Sequence, residues 1–122
     1  MKRPSKVRRL DSLVHQIVVA RSGGRCEACG KTVALDAAHG FGKKAYPAIR
    51  WDTDNVFALC RPCHRHYTNQ PNAWKLWYIG RLGDRFVDLW VRAKLTAKHD
   101  QDALAYQLRE ELCRTKATAP VG

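Results

Sequence analysis

The sequence predicts an α+β fold in which one amphipathic helix precedes a small β core and about three helices follow it. Apolar residues recur at helical spacing before position 22 and again after Pro71. Between Cys26 and Cys63 the pattern changes to short apolar runs interrupted by Gly, Pro, Asp and Asn, which is typical of short strands joined by loops. The 122 residues suit one domain with a modest core, and no internal repeat divides them.

The first helix is predicted over residues 9–24. Its apolar positions have i, i+3, i+4, i+7 and i+8 spacing and are Leu10, Leu13, Val14, Ile17 and Val18. The run Ser22-Gly23-Gly24 ends the pattern, because glycine commonly terminates helices. Residues 1–8 are rich in Lys and Arg, and we expect them to form a flexible basic arm.

The β core is predicted over residues 25–70. Two runs have the character of strands, Val33–His39 and Val56–Leu59. The segment between them, Gly40–Arg50, is expected to be a long basic loop.

A helical extension is predicted over residues 71–114, followed by a flexible tail over residues 115–122. Two apolar stripes have helical spacing, the first made of Trp74, Trp77, Tyr78 and Leu82 and the second of Phe86, Leu89, Trp90 and Ala93. Asp100 is a candidate N-cap for a last helix that carries Leu104, Ala105, Leu108 and Leu112. Tryptophans at this spacing favour a core over a base-stacking platform, because large aromatic side chains dominate burial.

The charge balance of the chain favours a polyanionic partner. Lys and Arg number 22 against 11 Asp and Glu, which gives a net charge of +11 and a pI near 9.9. A basic excess of this size is the electrostatic footprint of nucleic-acid binding. No run approaches the ~18–20 apolar residues of a membrane span, and no small-residue cleavage site marks a secretory signal. We expect a cytoplasmic protein that binds nucleic acid.

Two C-x-x-C pairs predict a structural zinc site. Thirty residues separate Cys26 and Cys29 from Cys60 and Cys63, and two such pairs bring four thiolates to one tetrahedral Zn²⁺ with no open coordination position. The alternatives are a disulfide pair or redox chemistry, which the two pairs flanking one β unit make less favourable. Cys113 is left over, and we expect it to be inert.

Three residues of the zinc-bound segment suggest an active centre. His39 ends the first predicted strand, Asn55 opens the second, and His64 follows the second C-x-x-C pair directly. Taken singly, each histidine is equally typical of an ordinary hydrogen-bonded residue in a zinc-ribbon protein. In this order, with both cysteine pairs, they favour a nuclease.

The order His, Asn, Cys-x-x-Cys-His over residues 26–66 resembles the motif of HNH (ββα-metal) endonucleases, in the subgroup with two C-x-x-C pairs, as in endonuclease VII. The stretch Ile79–Asp84 and the helix-forming tail also resemble the phage recombination family NinG (Rap). The resemblance implies a ββα-metal core, a phage or prophage origin, and cleavage that leaves 5′-phosphate ends. It further implies that His39 is the general base, that Asn55 braces the loop carrying it, and that His64 binds one catalytic Mg²⁺ or Mn²⁺.

The chemistry of phosphodiester hydrolysis agrees with these implied roles. The reaction needs a base to activate water and an electrophile for the charge that develops on oxygen. A neutral histidine, with an ordinary pKa of about 6.5, suits the first task. A hard divalent ion at a His/carboxylate site suits the second.

One position departs from the family pattern. Many HNH enzymes place an acidic or His metal ligand immediately before the base, where this chain has Ala38. We take Asp36 as the candidate second ligand, with His66 as the alternative. Asp52 and Asp54 are expected to shape a turn, and His15 and His99 are given no role.

The substrate is expected to be held by charge and DNA shape. Basic side chains flank both predicted active-centre histidines, and with His66 they are the candidate DNA contacts: Lys43, Lys44, Arg50, Arg61 and Arg65. Contacts to phosphate orient a duplex without reading its sequence, and they make affinity steeply dependent on salt.

The leading hypothesis is therefore a metal-dependent DNA endonuclease. The NinG resemblance implies branched recombination DNA, such as Holliday junctions or flaps, and a homodimer in which the C-terminal helices form the interface. The alternatives are an HNH nicking or restriction-like nuclease on ordinary duplex, an RNA-directed nuclease, and a non-catalytic zinc-ribbon DNA-binding protein.

Overall fold

Helical and short apolar patterns in the sequence become five α-helices around a two-stranded antiparallel sheet. The computed structural model describes residues 5–95 and 98–118, and within them the prediction of an α+β fold is confirmed. The elements in chain order are α1 (Lys6–Arg21), β1 (Leu35–His39), β2 (Val56–Cys60), α2 (Arg61–Thr68), α3 (Pro71–Leu82), α4 (Arg85–Ala93) and α5 (Gln101–Thr118).

Helix α1 begins earlier than predicted. The Ser5 hydroxyl accepts a hydrogen bond from the Arg8 amide at 3.1 Å and so caps the first turn. The expected flexible arm is therefore wrong for residues 5–8, and residues 1–4 lie outside the described residues. The helix ends at Arg21, three residues before the predicted bound, because the expected stop signal acts at once: Gly23 and Gly24 take positive φ angles of 69° and 75°.

The sheet is short because β2 turns directly into a helix. Leu35 pairs with Cys60, and His39 pairs with Val56 at the other end. The first strand was predicted to start at Val33, but Val33 has no partner, since the chain enters α2 after Cys60. Val33 is accordingly exposed.

Helices cover both faces of this sheet, so every residue of β2 is buried. One cluster joins α1 and α5 to the sheet and includes Leu10, Ile17 and Leu108. The other joins α3, α4 and the loop after β1 around Phe57. The active-centre candidates lie along the edge where α2 meets the sheet.

The helical extension consists of three helices, as predicted. Asp100 caps α5 as expected, with its Oδ1 accepting from the Ala103 amide at 3.0 Å. The predicted tail at residues 115–122 is wrong up to Thr118, because no helix breaker precedes Pro120. Residues 119–122 lie outside the described residues. Of the residues expected in the core, Trp90 differs, since 37% of its surface is exposed.

Among the described residues, no helix combines the length and the apolar character that crossing a bilayer requires.

Candidate functional site

The four cysteines of the two C-x-x-C pairs meet at one point. Cys26 and Cys29 lie in the turn after α1, whereas Cys60 ends β2 and Cys63 lies in the first turn of α2. Their sulfurs are all within 4.8 Å of one another, and the Cys29 and Cys60 sulfurs are 3.6 Å apart. Sulfurs around a tetrahedral zinc lie about 3.8 Å apart, since the Zn–S bond is about 2.3 Å. The cluster can therefore hold a metal ion such as zinc.

The pKa values of these cysteines are also consistent with a bound cation. Burial opposes ionisation of Cys26, but backbone amides from both pairs outweigh it and lower the pKa of this thiol to about 6. Burial and the neighbouring thiols raise the pKa of Cys63. Four sulfurs this close cannot all ionise unless a positive charge lies between them, and a divalent metal supplies that charge.

His39, at the end of β1, is held in one orientation by the loop that follows. Its Nε2 lies 3.0 Å from the carbonyl oxygen of Arg50. A carbonyl only accepts hydrogen bonds, so Nε2 carries the proton and Nδ1 keeps a lone pair when the ring is neutral. Burial lowers the pKa of His39 below its ordinary value of 6.5, and the charges of Lys43 and Arg50 act in the same direction, whereas the hydrogen bond to the Arg50 carbonyl acts against it. The neutral ring is therefore the dominant form at pH 7.

Asn55 fastens the loop after β1 at both of its ends. It is fully buried, and its Oδ1 accepts from the Phe41 amide at 2.7 Å. Its Nδ2 donates to the Phe41 and Ile49 carbonyl oxygens at 3.0 and 3.3 Å. Because Arg50 follows Ile49, these bonds also fix the carbonyl that orients His39.

His64 lies in the second turn of α2, where Asp36 of β1 contacts it. The Asp36 Oδ2 accepts from His64 Nδ1 at 3.1 Å and from Arg61 Nε at 2.9 Å. Burial opposes ionisation of Asp36, but these two hydrogen bonds outweigh it and hold the pKa of its carboxyl below its usual value. The carboxylate thus fixes the His64 ring and leaves Nε2 free.

His39 and His64 share one cavity of about 70 Å³ between β1, α2 and α3. Ala38, Tyr67, Thr68 and Trp74 contribute to its walls. On its outer side, Asp36 and His64 also border a wider groove of about 470 Å³ with Arg61, Arg65 and Asn69. The two histidines predicted for the active centre are therefore brought together beside an open surface.

A complete second metal site is not formed by these residues alone. Within the described ranges, the four cysteines are the one group of three or more His, Cys, Asp or Glu side chains gathered closely enough to hold an ion. Asp36 and Ala38 lie on the same face of β1, because alternate strand residues share a face. The carboxylate of Asp36, the candidate second ligand, is engaged by His64 and Arg61 in this structure. His66 packs its ring against Tyr67 instead.

The predicted DNA contacts fall into two groups. Arg61 and Arg65 line the wider groove beside His64, and Lys44 is exposed. Lys43 and Arg50 border a separate cavity beside α5. Arg50 is engaged within the protein, since its guanidinium makes two hydrogen bonds to Asp11, at 2.8 and 3.2 Å.

Several site residues were not predicted from the sequence. Trp74 donates from its indole to the His39 carbonyl at 3.3 Å, and Asp11 holds both Arg50 and the Trp51 indole. These contacts join distant parts of the chain and have no local signature. Thr68 could have been predicted as a neighbour of His64, because its i+4 spacing puts both residues on one face of a helix.

Comparison with known proteins gave no match: no family model, no curated protein and no solved structure resembles the chain at a significant level.

Proposed function

We propose that the chain is a metal-dependent DNA endonuclease of the HNH type, with His39 as its general base and His64 as a ligand of its catalytic ion. The observation that carries the proposal is the cavity shared by these two histidines, each held through one ring nitrogen with the other left free. A four-cysteine zinc site beside the same two strands supports the β core on which both lie.

The environment of His39 suits a base. Its Nε2–H is taken up by the Arg50 carbonyl, so its Nδ1 can receive a proton from water. The lowered pKa keeps the ring neutral at pH 7. The Asn55 hydrogen bonds hold the loop that orients the ring, which is the role the resemblance implies for that residue.

His64 and Asp36 supply the donor types that a hard divalent ion takes. An imidazole oriented by a carboxylate is the usual arrangement of a histidine that ligates metal. Bound Mg²⁺ or Mn²⁺ would stabilise negative charge on the phosphoryl and leaving oxygens. Because the protein contributes few ligands, most of the coordination sphere would come from water and phosphate, as is common for Mg²⁺.

The substrate we propose is branched DNA, such as flaps or four-way junctions. Arg61 and Arg65 flank His64 on the open groove, where they can contact phosphates on either side of the cut. The NinG resemblance favours recombination intermediates over ordinary duplex. A nicking or restriction-like enzyme with the same chemistry would cut linear duplex equally well.

A cleavage assay tests the proposal. Linear duplex, single-stranded, flap and four-way-junction DNA are incubated with the zinc-loaded protein, with Mg²⁺, with Mn²⁺ or without added divalent ion. The metal-free control omits the added ion and uses no chelator, because a chelator would also remove zinc from the four-cysteine site. We expect cleavage of branched DNA only with added metal, and its loss in His39→Ala and His64→Ala.

Matched variants separate chemistry from folding. His15→Gln replaces an exposed histidine of α1 that lies outside the cavity and keeps a donor for the Leu35 carbonyl, which His15 contacts at 2.7 Å, so it should cut like the wild type. Asp36→Asn keeps an acceptor for His64 but loses the charge, so reduced cleavage restored by higher Mn²⁺ would support a role at the metal. If His39→Ala cuts as fast as the wild type, the nuclease site proposed here is wrong.

Ala38 favours a second candidate function, a zinc-ribbon protein that binds DNA without cutting it. An acidic or His ligand is missing from this position, and the described residues form no second three-ligand cluster. Such a protein would bind DNA equally with or without Mg²⁺, and His39→Ala would leave both binding and the absence of cleavage unchanged.

A further inference from the structure

A second concave site lies beside the candidate active centre, where the loop after β1 meets α3 and α4. It has a volume of about 440 Å³, which is within the range of sites for small organic ligands. We call it the aromatic groove, after the rings along its walls: Phe41, Tyr46, Tyr78, Phe86 and Trp90.

These rings converge on Phe41 from three separate stretches of chain. The ring centroid of Phe41 lies 5.0 Å from that of Tyr46, 5.6 Å from that of Tyr78 and 5.6 Å from that of Trp90. Phe41 is buried, whereas Trp90 remains 37% exposed. The aromatic groove therefore has a rigid inner wall that belongs to the core and an outer edge open to solvent.

The aromatic groove and the cavity shared by His39 and His64 are neighbours along α3, since Trp74 of the cavity contacts Tyr78 of the groove with ring centroids 5.5 Å apart. Trp74 borders the cavity and bonds the His39 carbonyl, while the next residue, Lys75, borders the aromatic groove. Gly40, which follows His39 directly, also lines the aromatic groove, and a Cβ there would approach Tyr78 to 3.4 Å. A polymer whose backbone lies at His39 can thus place an adjacent group in the aromatic groove.

The charge around the aromatic groove identifies the chemistry of that group. Lys75 lies on its wall, and the described residues that line it include no carboxylate. Lys94 adds a second cation, with its Nζ 4.4 Å from the centroid of the Trp90 ring. Flat aromatic walls with flanking cations suit a ligand that is both aromatic and anionic, and a nucleotide has both properties.

We infer that the aromatic groove holds an unpaired nucleobase of the DNA strand whose backbone lies at His39 and His64. The inference rests on the proposed function for the identity of the polymer, and it specifies the substrate class. A base inside a duplex is stacked and paired, so moving it into the groove is costly, whereas a base at a flap or branch point is already unstacked. The aromatic groove would thereby select branched over linear DNA without reading sequence.

The test is a binding measurement that needs no cleavage. The full-length, zinc-loaded protein is titrated, without added Mg²⁺, into two duplexes that carry 2-aminopurine, in one paired and in the other extrahelical. We expect the extrahelical base to be quenched on binding and its duplex to bind about tenfold tighter, the order expected for one stacked base. Trp90→Ala and Lys75→Ala should lose this preference. Tyr106→Ala, which removes an exposed ring on α5, should keep it.

Equal affinity for the two duplexes would overturn the inference, as would an unchanged preference in both Trp90→Leu and Lys75→Ala. Trp90→Leu keeps an apolar side chain but removes the ring, so it remains informative if Trp90→Ala melts early. A dimer that dissociates on Trp90→Leu, with no base preference in the wild type, would show that a second copy covers the aromatic groove instead. A protein that prefers the unpaired base but cuts nothing refutes the nuclease and leaves this inference standing. A protein that cuts all DNA alike refutes this inference and the proposed preference for branched DNA, and leaves the nuclease chemistry standing.

Discussion

At the residue scale, the site depends on polar groups that hold one another in place. Asp11 orients Arg50, the Arg50 carbonyl orients His39, and Asp36 orients His64. Within the described residues, no buried side-chain nitrogen or oxygen lacks a hydrogen-bond partner. Each histidine is therefore presented by its neighbours in one defined orientation, which general acid–base chemistry requires.

The lowered pKa of His39 predicts how cleavage depends on pH. A base acts only in its neutral form, so activity should rise with pH through the His39 pKa and level off, with an apparent pKa below 6.5. An NMR titration of the free protein should give the same pKa for the His39 ring. Lys43→Gln removes a charge that favours the neutral ring and should move that pKa upward. A pKa above 6.5 in the wild type would contradict this account.

Asn55 predicts a large stability effect from one substitution. Asn55→Ala leaves the amide and the carbonyl oxygen of Phe41 without partners inside the protein, while the Ile49 carbonyl keeps its bond from the Asp52 amide. Because each such group costs about 1–3 kcal/mol, we expect the free energy of unfolding to fall by about 2–4 kcal/mol. Urea denaturation measures it. The exposed Asn72→Ala is the matched control and should change stability by less than about 0.5 kcal/mol.

At the element scale, the four cysteines add a cross-link between elements that Glu27 also joins, through two hydrogen bonds with the Ala58 backbone. They connect the turn after α1 to the junction of β2 and α2. Within the described residues the sheet has two strands, and a sheet of that size is marginally stable by itself. A structural metal is a common remedy in small domains.

This arrangement predicts a metal-dependent fold. The purified chain should hold about one zinc that survives dialysis, since structural zinc contributes about 10–16 kcal/mol in zinc-finger peptides. Stripping the metal, or the change Cys29→Ser, should abolish the cooperative thermal transition seen by circular dichroism. Cys113→Ser removes the exposed fifth cysteine and should change neither zinc content nor melting. A stably folded chain without zinc would refute the metal centre.

Local patterns predicted most of the elements and fewer of the contacts. The apolar spacing from Leu10 to Val18 predicted α1, and Asp100 predicted the start of α5. Both signals are local, since each lies within a few turns of the helix that it marks. The early start of α1 at Lys6 was missed, since a charged first turn has no apolar stripe. The engagement of Arg50 by Asp11 and of Asp36 by Arg61 joins residues far apart in sequence, and nothing local encodes such pairs. Trp90 has the spacing of a core residue, and only the tertiary structure shows that one edge stays open.

At the scale of the whole molecule, the basic excess determines how DNA would be bound. Some of the arginines form ion pairs within the protein: Arg92 pairs with Asp52 and Asp54, and Arg81 pairs with Glu27. The remaining cations include Lys43, Lys44 and Arg65, which make no ion pair within the described part of the chain. These are available for phosphate.

A steep salt dependence of DNA affinity is therefore predicted. Contact with about five phosphates gives a slope near −4.5 in a plot of log affinity against log salt, or roughly 500-fold weaker binding at 200 mM than at 50 mM. Fluorescence anisotropy with a labelled junction measures it. Lys44→Ala should make the slope shallower by about one unit. A nearly flat plot would exclude a phosphate-driven mode of binding.

The hydrogen bonds by which Asn55 holds both ends of the loop after β1 affect which sequence changes that loop can accept. Both ends of the loop after β1 are fixed by one buried amide, at Phe41 and at Ile49, while most of the residues between them face solvent. Insertions or exchanges there would alter the outer rim, including Tyr46, without displacing His39 from its carbonyl. The segment 42–48 can therefore vary in sequence while the loop stays anchored, although an exchange of Lys43 within it would also shift the pKa of His39.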